Sequence, residues 1–511
     1  MARLGTHAAH PCHALPWRAR ISDREPARAS GALVFSPRRA GSAPPARPAD
    51  RRRRRRRGGA DNGGDHPQSG GWGKLRTREP GAAFGDRRTR NAGGRNILRQ
   101  RPPYPDPARI VTVHILEAAR VLTGRGQVLT PGTVVLTDRR IVWVGLSRQL
   151  PKPWAAVPAT ARIRLPEATI LPGLIDAHVH LSFGGAPRPP VALLATTRME
   201  VAATIHAALR QLRDAGITTV RDLGAPRYID SSTLADLDAG PRVLTATIPL
   251  TVAGGHCAGL GGAVSETAEI DQLVAANATR GADWIKVMVT GGFTTGGRSS
   301  PYEPQFTDDQ LARIVTAARA HGLPVAAHAH GSAGIRQAVG AGVDSIEHCT
   351  WMTPDGFDLD HGVVREIVNR RIMVCPTINH HARDATGRLP WAVRREQLRV
   401  MLDAGVRLIP GTDSGIPQTP HDQYAYSLPI WTDLGYSAAD IIELATAAAA
   451  QALRIDHLTG TLTAGHVGDL IAVPGDPMTD LGALTTPVVV ATAGHLHYPD
   501  TTTTAEENTR P

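Results

Sequence analysis

Histidines stand at the ends of apolar, strand-like runs in the middle of this chain. His178 and His180 close the first run, and His328 and His330 repeat the same spacing further on. Side chains two residues apart on a strand face the same way, so each pair could hold one metal ion. Imidazole nitrogens are ligands that zinc and similar ions accept. Taken alone, each pair is a weak signal, since such histidines more often make ordinary structural hydrogen bonds.

Lys286, His348 and Asp413 extend this set. Lys286 lies inside an apolar run, where an unpartnered ammonium is costly. It either reaches a carboxylate beyond the strand or reacts with CO2 to form a carbamate, an anion that can bridge two metals. His348 alone could be a core histidine, and Asp413 alone could cap a helix. Jointly, the ends of five runs present imidazole, lysine and carboxylate groups, which predicts a metal centre.

The elements that position these residues alternate between strand and helix. Strand-like runs cover 169–181, 218–224, 242–251, 284–291, 325–331, 343–349, 372–377 and 406–413. The clearest helical pattern is 307–321, where Thr307 and Gln310 form a capping box and Gly322 follows as a stop signal. Eight strands alternating with helices predict an α/β fold, a (β/α)8 TIM barrel, with a doubly wound sheet as the rival. In such a barrel the active site lies at the carboxyl ends of the strands.

Short strands flank the predicted barrel, which spans 171–455. The segments 133–136 and 141–145 surround a hairpin-like turn, and strand patterns return at 469–473 and 488–492. We therefore predict that 109–170 and 456–498 form one small β-sandwich domain from both flanks. A short tail, 499–511, follows.

Residues 1–108 carry the positive charge of the chain. They hold 24 Lys and Arg against 8 Asp and Glu, whereas the rest holds 33 against 38, so the net charge of +11 comes from this segment alone. It includes an unbroken arginine run, 51–57, and has no sustained apolar period, which predicts disorder. The run could bind nucleic acid or an anionic surface. The segment could equally be a non-functional extension from a wrongly assigned start, the true start then lying near Val111 or Val113.

Cysteine usage and hydropathy bear on the compartment. The cysteines Cys12, Cys257, Cys349 and Cys375 are scattered and form no CxxC motif, which favours free thiols in a reducing cytoplasm. We find no secretory signal and no apolar stretch long enough to span a membrane. The expected localisation is cytoplasmic, with no membrane partner and a possible homo-oligomer.

Several segments resemble the amidohydrolase superfamily of metal-dependent hydrolases. They are PGLIDAHVHL (172–181), ADWIKVMVTGG (282–292), VAAHAHG (325–331), SIEHC (345–349), PGTDSG (410–415) and GTLTAGHVGDLIAVPGDP (460–477). The resemblance covers about 110–480. It is greatest to the branch related to imidazolonepropionase, which includes Xaa-Pro dipeptidase-like enzymes and N-acyl-amino-acid amidases.

The resemblance implies a role for each candidate ligand. A first metal ion would be held by His178, His180 and Asp413, a second by His328 and His348, with Lys286 bridging them as a carbamate. His330 would then face the substrate. Imidazolonepropionase usually uses one metal and lacks this lysine, so Lys286 favours the two-metal, amide-cleaving members.

The implied reaction is hydrolysis of the amide bond of a dipeptide or an N-acyl amino acid. Two divalent ions, expected to be zinc, would share a hydroxide whose pKa their charge lowers. Asp413 would also act as the general base and pass the proton of the attacking water to the leaving nitrogen. The alternatives are a mononuclear cyclic-amide hydrolase or deaminase, and a nucleic-acid binder on a degenerate barrel, which the complete ligand set disfavours.

Further residues are candidates for substrate binding. The relatives hold a substrate carboxylate with a tyrosine and a histidine near Tyr228 and His256, and Arg298 follows the fourth strand-like run. Each of the three could instead be an ordinary loop residue. Cys257 follows His256 where the relatives more usually have glycine, which changes the expected shape of the pocket.

Overall fold

The computed structural model describes residues 112–185, 196–234, 240–293 and 299–500. The predictions for the basic segment 1–108 and for nearly all of the tail 499–511 lie outside the described residues. Over the described ranges the fold is α/β, as the sequence predicts.

The strands are numbered in chain order. They are β1 (Val113–Leu122), β2 (Val128–Leu129), β3 (Gly132–Thr137), β4 (Arg140–Leu146), β5 (Arg162–Pro172), β6 (Leu174–Val179), β7 (Ile217–Asp222), β8 (Arg242–Thr245), β9 (Ile285–Met288), β10 (Val325–Gly331), β11 (Ser345–Thr353), β12 (Gly356–Phe357), β13 (Met373–Cys375), β14 (Arg407–Leu408), β15 (Leu470–Pro474), β16 (Val489–Thr492) and β17 (His495–His497).

The helices are likewise numbered in chain order. They are α1 (Lys152–Ala155), α2 (Arg198–Asp214), α3 (Ile229–Leu234), α4 (Thr267–Thr279), α5 (Asp308–Ala320), α6 (Ser332–Ala341), α7 (His361–Asn369), α8 (Trp391–Asp403), α9 (Tyr424–Ser427), α10 (Ala438–Glu443) and α11 (Ala449–Ala452).

One sheet is built from both ends of the described chain. Its strand order is β17-β16-β15-β5-β1-β3-β4, with β2 paired to β1. The joint between the ends is antiparallel, with Leu470 of β15 opposite Pro172 of β5. Apolar side chains from both flanks, among them Ile170 and Leu470, share one buried cluster. The two flanks therefore need each other to bury their apolar faces.

Eight parallel strands surround the candidate site. Three are paired in the order β6-β7-β8 and five in the order β9-β10-β11-β13-β14. At one seam Leu250 N donates to Lys286 O at 2.8 Å, and at the other Asp413 N donates to His178 O at 2.8 Å. Hydrogen bonds at both seams give the strand order expected of a closed barrel.

Helices cover the outside of these strands. In α5, Thr307 accepts from the N–H of Gln310, and Gln310 Oε1 accepts from the N–H of Thr307, which confirms the predicted capping box. The buried face of α5 consists of Leu311, Ile314, Val315 and Ala318. Among the described residues, no helix combines the length and apolarity that crossing a membrane requires.

Candidate metal centre

The first group of potential metal ligands joins β6 to the segment after β14. Nε2 of His178 and Nε2 of His180 lie 3.3 Å and 3.2 Å from the same oxygen, Oδ1 of Asp413. The two histidines share one side of the strand end because they are two residues apart. Asp413 is brought to them by the β6 seam, where its N–H bonds to the carbonyl of His178. Three ligand atoms thus converge on one point, which fits a divalent ion.

The Nδ1 atom of His178 contacts Glu347, which leaves Nε2 to bind a metal ion. Nδ1 lies 2.9 Å from Oε2 of Glu347. The opposite carboxylate oxygen, Oε1, accepts from Arg221 Nη2 at 2.9 Å and from Ser345 Oγ at 2.5 Å. Although burial alone would raise the pKa of Glu347, the charge of Arg221 and the His178 hydrogen bond hold it well below its ordinary value. A carboxylate behind a histidine fixes its tautomer and its orientation.

Arg221 is itself fixed by several contacts in the interior between the parallel strands. Its Nε donates to the carbonyl of Ala177 at 2.7 Å, and its guanidinium stacks on Trp284 at 4.5 Å from the ring centroid. Arg221, Trp284 and Glu347 are all almost fully buried. Because the guanidinium and the carboxylate neutralise each other there, the support behind His178 is rigid and ionic.

The second group joins β10 and β11. His328, His330 and His348 each offer a ring nitrogen within 4.8 Å of the others. The rings of His330 and His348 are stacked at 4.4 Å, and that of His328 lies 4.5 Å from that of His348. Burial is the main cause that lowers the pKa of all three, so they are neutral imidazoles. Neutral imidazole is the form that binds a metal ion.

Threonine hydroxyls lie beside the Nδ1 atoms of two of these histidines. Nδ1 of His348 lies 2.9 Å from Oγ1 of Thr377, and Nδ1 of His330 lies 3.1 Å from Oγ1 of Thr350. In both rings the remaining nitrogen, Nε2, is therefore the one that can bind a metal ion. Nε2 of His328 lies 3.1 Å from the carbonyl of Gly291.

Lys286 is buried beside β10, the strand that carries His328 and His330. It is 1% exposed in the middle of β9. Burial lowers its pKa, while the charges of Glu347 and Asp413 oppose that effect. Burial is the main cause that lowers the pKa of His180, His328 and His348, and the charge of Lys286 acts in the same direction. The structure thus gathers five of the sequence-predicted metal ligands into two groups and places Lys286 opposite Ala326, two residues before His328.

A backbone distortion allows two adjacent residues of β11 to point their side chains toward the same candidate site. In a regular strand Glu347 and His348 would face opposite sides. His348 and Cys349 instead have φ of 67° and 52°, in the left-handed region. Arg394 of α8 donates to the carbonyls of both residues, at 2.8 Å to that of Cys349, and so holds the distorted segment in place. Glu347 supports His178 while His348 enters the second group.

Cys375 forms a third possible ligand group with His178 and Glu347. A thiol binds metal as thiolate. Burial and the charge of Glu347 raise the pKa of Cys375 well above its ordinary value. Glu347 is already engaged by Arg221 and by His178, so this group is better understood as packing beneath the first. Within the described ranges, Cys257, Cys349 and Cys375 are buried free thiols.

The predicted substrate-binding residues differ in where they lie relative to the two ligand groups. His256 is buried with its ring 4.5 Å from that of His328, and a Cβ at Gly292 would meet its ring at 2.4 Å, so only glycine fits there. Tyr228 lies after β7, where its ring packs under the guanidinium of Arg280 at 4.3 Å. Arg298 lies outside the described residues. His256 thus contacts a member of the second group, and His330 belongs to that group.

Phe293 and Arg388 form a rim that the sequence did not indicate. The ring of Phe293 lies 4.8 Å from that of His330, and the guanidinium of Arg388 lies 5.0 Å from the centroid of Phe293. Phe293 is 40% exposed. Arg388 comes from the segment between β13 and α8, far from the histidine motifs in sequence. No local pattern around it could have marked it as a neighbour of His330.

The residues present fit a metal site by two criteria. Among the described residues, Nε2 of His178 is buried and no hydrogen bond reaches it, although Oδ1 of Asp413 is 3.3 Å away. A nitrogen and a carboxylate oxygen that approach without a hydrogen bond are arranged as joint ligands of one ion. The donor set of imidazoles and carboxylate also has the chemistry that zinc prefers.

Comparisons with known proteins identify the family and several similar proteins. The model of the amidohydrolase family matches residues 169–496. Ochratoxinase of Aspergillus niger is 26% identical over 437 residues, covering 77% of this chain and 88% of that protein. Imidazolonepropionase of Streptomyces coelicolor is 29% identical over 366 residues, covering 66% and 84%. A solved Xaa-Pro dipeptidase with methionine in its active site has a TM-score of 0.65 and 27% identity, covering 76% and 100%.

Proposed function

The chain belongs to the amidohydrolase family, whose members here are hydrolases of carbon–nitrogen bonds, and from this we propose a specific activity for it. We propose that it is a two-metal enzyme that hydrolyses the amide bond of a dipeptide or an N-acyl amino acid. The observation that carries the proposal is the burial of Lys286 in β9, where the strand register places it opposite Ala326, two residues before His328.

We assign the first ion to His178, His180 and Asp413, and the second to His328 and His348. The hydrogen-bond partners of His178 and His348 support this assignment because both rings keep Nε2 directed away from Glu347 and Thr377. His330 belongs to the same geometric group as His348. We assign it to the substrate because it also contacts Phe293 at the exposed rim.

Lys286 would carry a carbamate. Burial disfavours its ammonium form, and the neutral amine is the nucleophile that CO2 requires. The new N–C bond forms as the amine attacks CO2, and one proton leaves to solvent. The resulting anion has two oxygens, one for each ligand group. It would also replace a buried cation among the histidines by a group of the opposite charge.

Asp413 would move the proton. When bound, two divalent ions polarise an amide carbonyl and lower the pKa of water at the site. Asp413 lies within 3.3 Å of both histidines of the first group, and its side chain is 16% exposed. Although burial alone would raise the pKa of Asp413, the neighbouring His178 and His180 hold it well below the ordinary value, so the carboxylate is ionised and can accept a proton. The acceptor of that proton is the leaving amine nitrogen.

The rim supplies a partner for a substrate carboxylate. Arg388, held over Phe293 next to His330, is a cation at the exposed end of the second group. A C-terminal amino-acid carboxylate would form a charge-assisted pair with it. His256 lies 4.5 Å from His328, and burial lowers its pKa to about 3, so it would contribute a neutral side chain rather than a second cation.

The similarity to imidazolonepropionase supports a second candidate, a mononuclear hydrolase of a cyclic amide. In that case only one ligand group would be filled, and Lys286 would remain an amine. Metal stoichiometry separates the two candidates.

The proposed substrate class is tested with the zinc-loaded full-length chain. We expect release of free amino acid from members of a dipeptide and N-acyl-amino-acid library, measured by amine-reactive fluorescence, and no release after chelation. Turnover of cyclic amides alone, with every linear amide untouched, would contradict the proposed substrate.

A further inference from the structure

A cavity of about 500 Å³ lies at the opposite ends of the strands from the histidine groups. Asp344 in its wall immediately precedes β11, and Met373 and Arg407 are the first residues of β13 and β14. His348 lies three residues beyond the start of β11, which corresponds to roughly 10 Å of strand. The cavity is therefore separate from the candidate metal centre.

The wall of this basic cavity is strongly positive. Its arginines are Arg319, Arg370, Arg371, Arg407 and Arg454, and the carboxylate in the wall is that of Asp344. That carboxylate is already engaged, because Oδ1 lies 2.5 Å from Arg454 Nη2 and Oδ2 accepts from the N–H of Val325 at 2.9 Å. The other four arginines that line the cavity are therefore not neutralised by a carboxylate of the same wall.

Backbone carbonyls hold several of these side chains in place. Arg319 Nη2 donates to the carbonyl of Gly342, and Arg407 Nη2 donates to that of Arg371, both at 2.8 Å. Arg370 donates to the carbonyl of Gly340 at 3.3 Å and pairs outside the wall with Glu366. A carbonyl fixes a guanidinium without neutralising it, and each guanidinium keeps further N–H donors.

Two positively charged side chains lie next to each other in this cavity. Arg371 and Arg407 are neighbours, and burial together with the charge of Arg371 lowers the pKa of Arg407. A concave wall that collects cations attracts anions. Guanidinium groups bind phosphate oxygens through paired N–H donors, and the cavity volume lies in the range of small-ligand sites.

We propose that this basic cavity binds the phosphate chain of a small oligophosphate, such as inorganic tripolyphosphate or a nucleoside triphosphate. Several phosphate groups in line would match arginines that reach the cavity from α5, from β14 and from the segments just after α7 and α11. A single phosphate could contact only part of the wall. The proposal does not depend on the substrate of the metal centre.

Protection from arginine modification tests the site directly. The full-length, zinc-loaded chain is treated with phenylglyoxal with and without tripolyphosphate, and modified peptides are quantified by mass spectrometry. We expect tripolyphosphate and ATP to protect Arg371 and Arg407, adenosine not to, and exposed Arg210 of α2 to react equally throughout. Peptide resolution keeps this signal distinct from the arginine run at 51–57. Equal reactivity of Arg371 with and without tripolyphosphate would overturn the proposal, as would protection by RNA or anionic vesicles alone.

Charge removal provides the second readout. In the Arg371→Gln variant, we expect the tripolyphosphate concentration that half-protects Arg407 to rise about tenfold, because one guanidinium–phosphate contact is lost. The Arg210→Gln variant should leave it unchanged. Circular dichroism establishes that both variants fold, and a folded Arg371→Gln protein with unchanged half-protection would contradict the site.

Discussion

Nδ1 of His178 lies 2.9 Å from Oε2 of Glu347, and both side chains are fully buried. This contact determines which ring nitrogen of His178 faces Asp413. It also links the candidate metal centre to Arg221 and Ser345 in the interior between the parallel strands, because the other oxygen of Glu347 accepts from both. The arrangement of the first ligand group therefore depends on a residue that is not itself assigned as a ligand.

Replacing Glu347 should weaken metal binding more than it changes the fold. In Glu347→Gln, His178 loses its anionic partner and Arg221 keeps only a neutral one, so we expect zinc affinity to fall about 10- to 100-fold. Competition with a chromogenic chelator measures this. Glu396→Gln on the exposed face of α8 is the matched control. Wild-type zinc affinity in a folded Glu347→Gln protein would show that the contact does not orient the ligand.

Asp413→Asn should separate metal binding from proton transfer. The amide oxygen can still contribute to the first group, but it cannot take a proton, so we expect some zinc to remain while kcat falls about 10²- to 10⁴-fold. Metal analysis and amide turnover are measured on the same sample. Asp403→Asn, at an exposed helix end, should match the wild type. Substantial turnover by Asp413→Asn would remove Asp413 from the role of base.

Arg388→Met tests the rim. If Arg388 pairs with a substrate carboxylate, KM for an N-acyl amino acid should rise about tenfold with kcat little changed. The corresponding amino-acid amide, which lacks the carboxylate, should show no such increase. Arg399→Met on α8 serves as control. An equal change in KM for both substrates would mean that Arg388 does not recognise the carboxylate.

Asp230 should make stability fall as pH rises. Burial raises its pKa to about 6, above the ordinary 3.8, and Asp222 nearby is raised in the same way by burial and by the charge of Asp230. The folded state thus binds the proton more tightly, and this stabilisation is lost as pH rises from about 4 through about 6. Asp230→Asn should gain about 1–3 kcal/mol relative to wild type between pH 4 and pH 7.

Thermal or urea unfolding across this pH range measures the effect on the free energy of unfolding, with Asp403→Asn as the exposed control. A difference between Asp230→Asn and wild type that stays constant with pH would contradict the assigned titration.

The metal groups could be anticipated because each motif ends a strand. His178 and His180 share a face by simple alternation, and the seam between β6 and the segment after β14 brings Asp413 beside them. The α/β class could be predicted from the sequence because short apolar strand-like runs alternate regularly with helical patterns. The helix boundary at Thr307 was likewise predictable, since its capping box is local.

Other parts of the site depend on contacts that no local pattern contains. Alternation along β11 assigns Glu347 and His348 to opposite sides, and only the left-handed backbone held by Arg394 allows both to serve the centre. Arg388 reaches Phe293 from a different loop. Tyr228 was predicted from the resemblance to relatives with a tyrosine near this position, yet its observed partner is Arg280, and its role at the substrate stays a prediction.

The zinc content of the full-length chain, reconstituted with and without bicarbonate, tests the central claim most directly. With bicarbonate we expect about two zinc ions per chain and full activity. Without it, or in Lys286→Met, zinc content and activity should both fall, because the buried side chain can no longer supply a bridging anion. About one zinc per chain under all conditions, with activity independent of bicarbonate and of Lys286, would contradict the two-metal account.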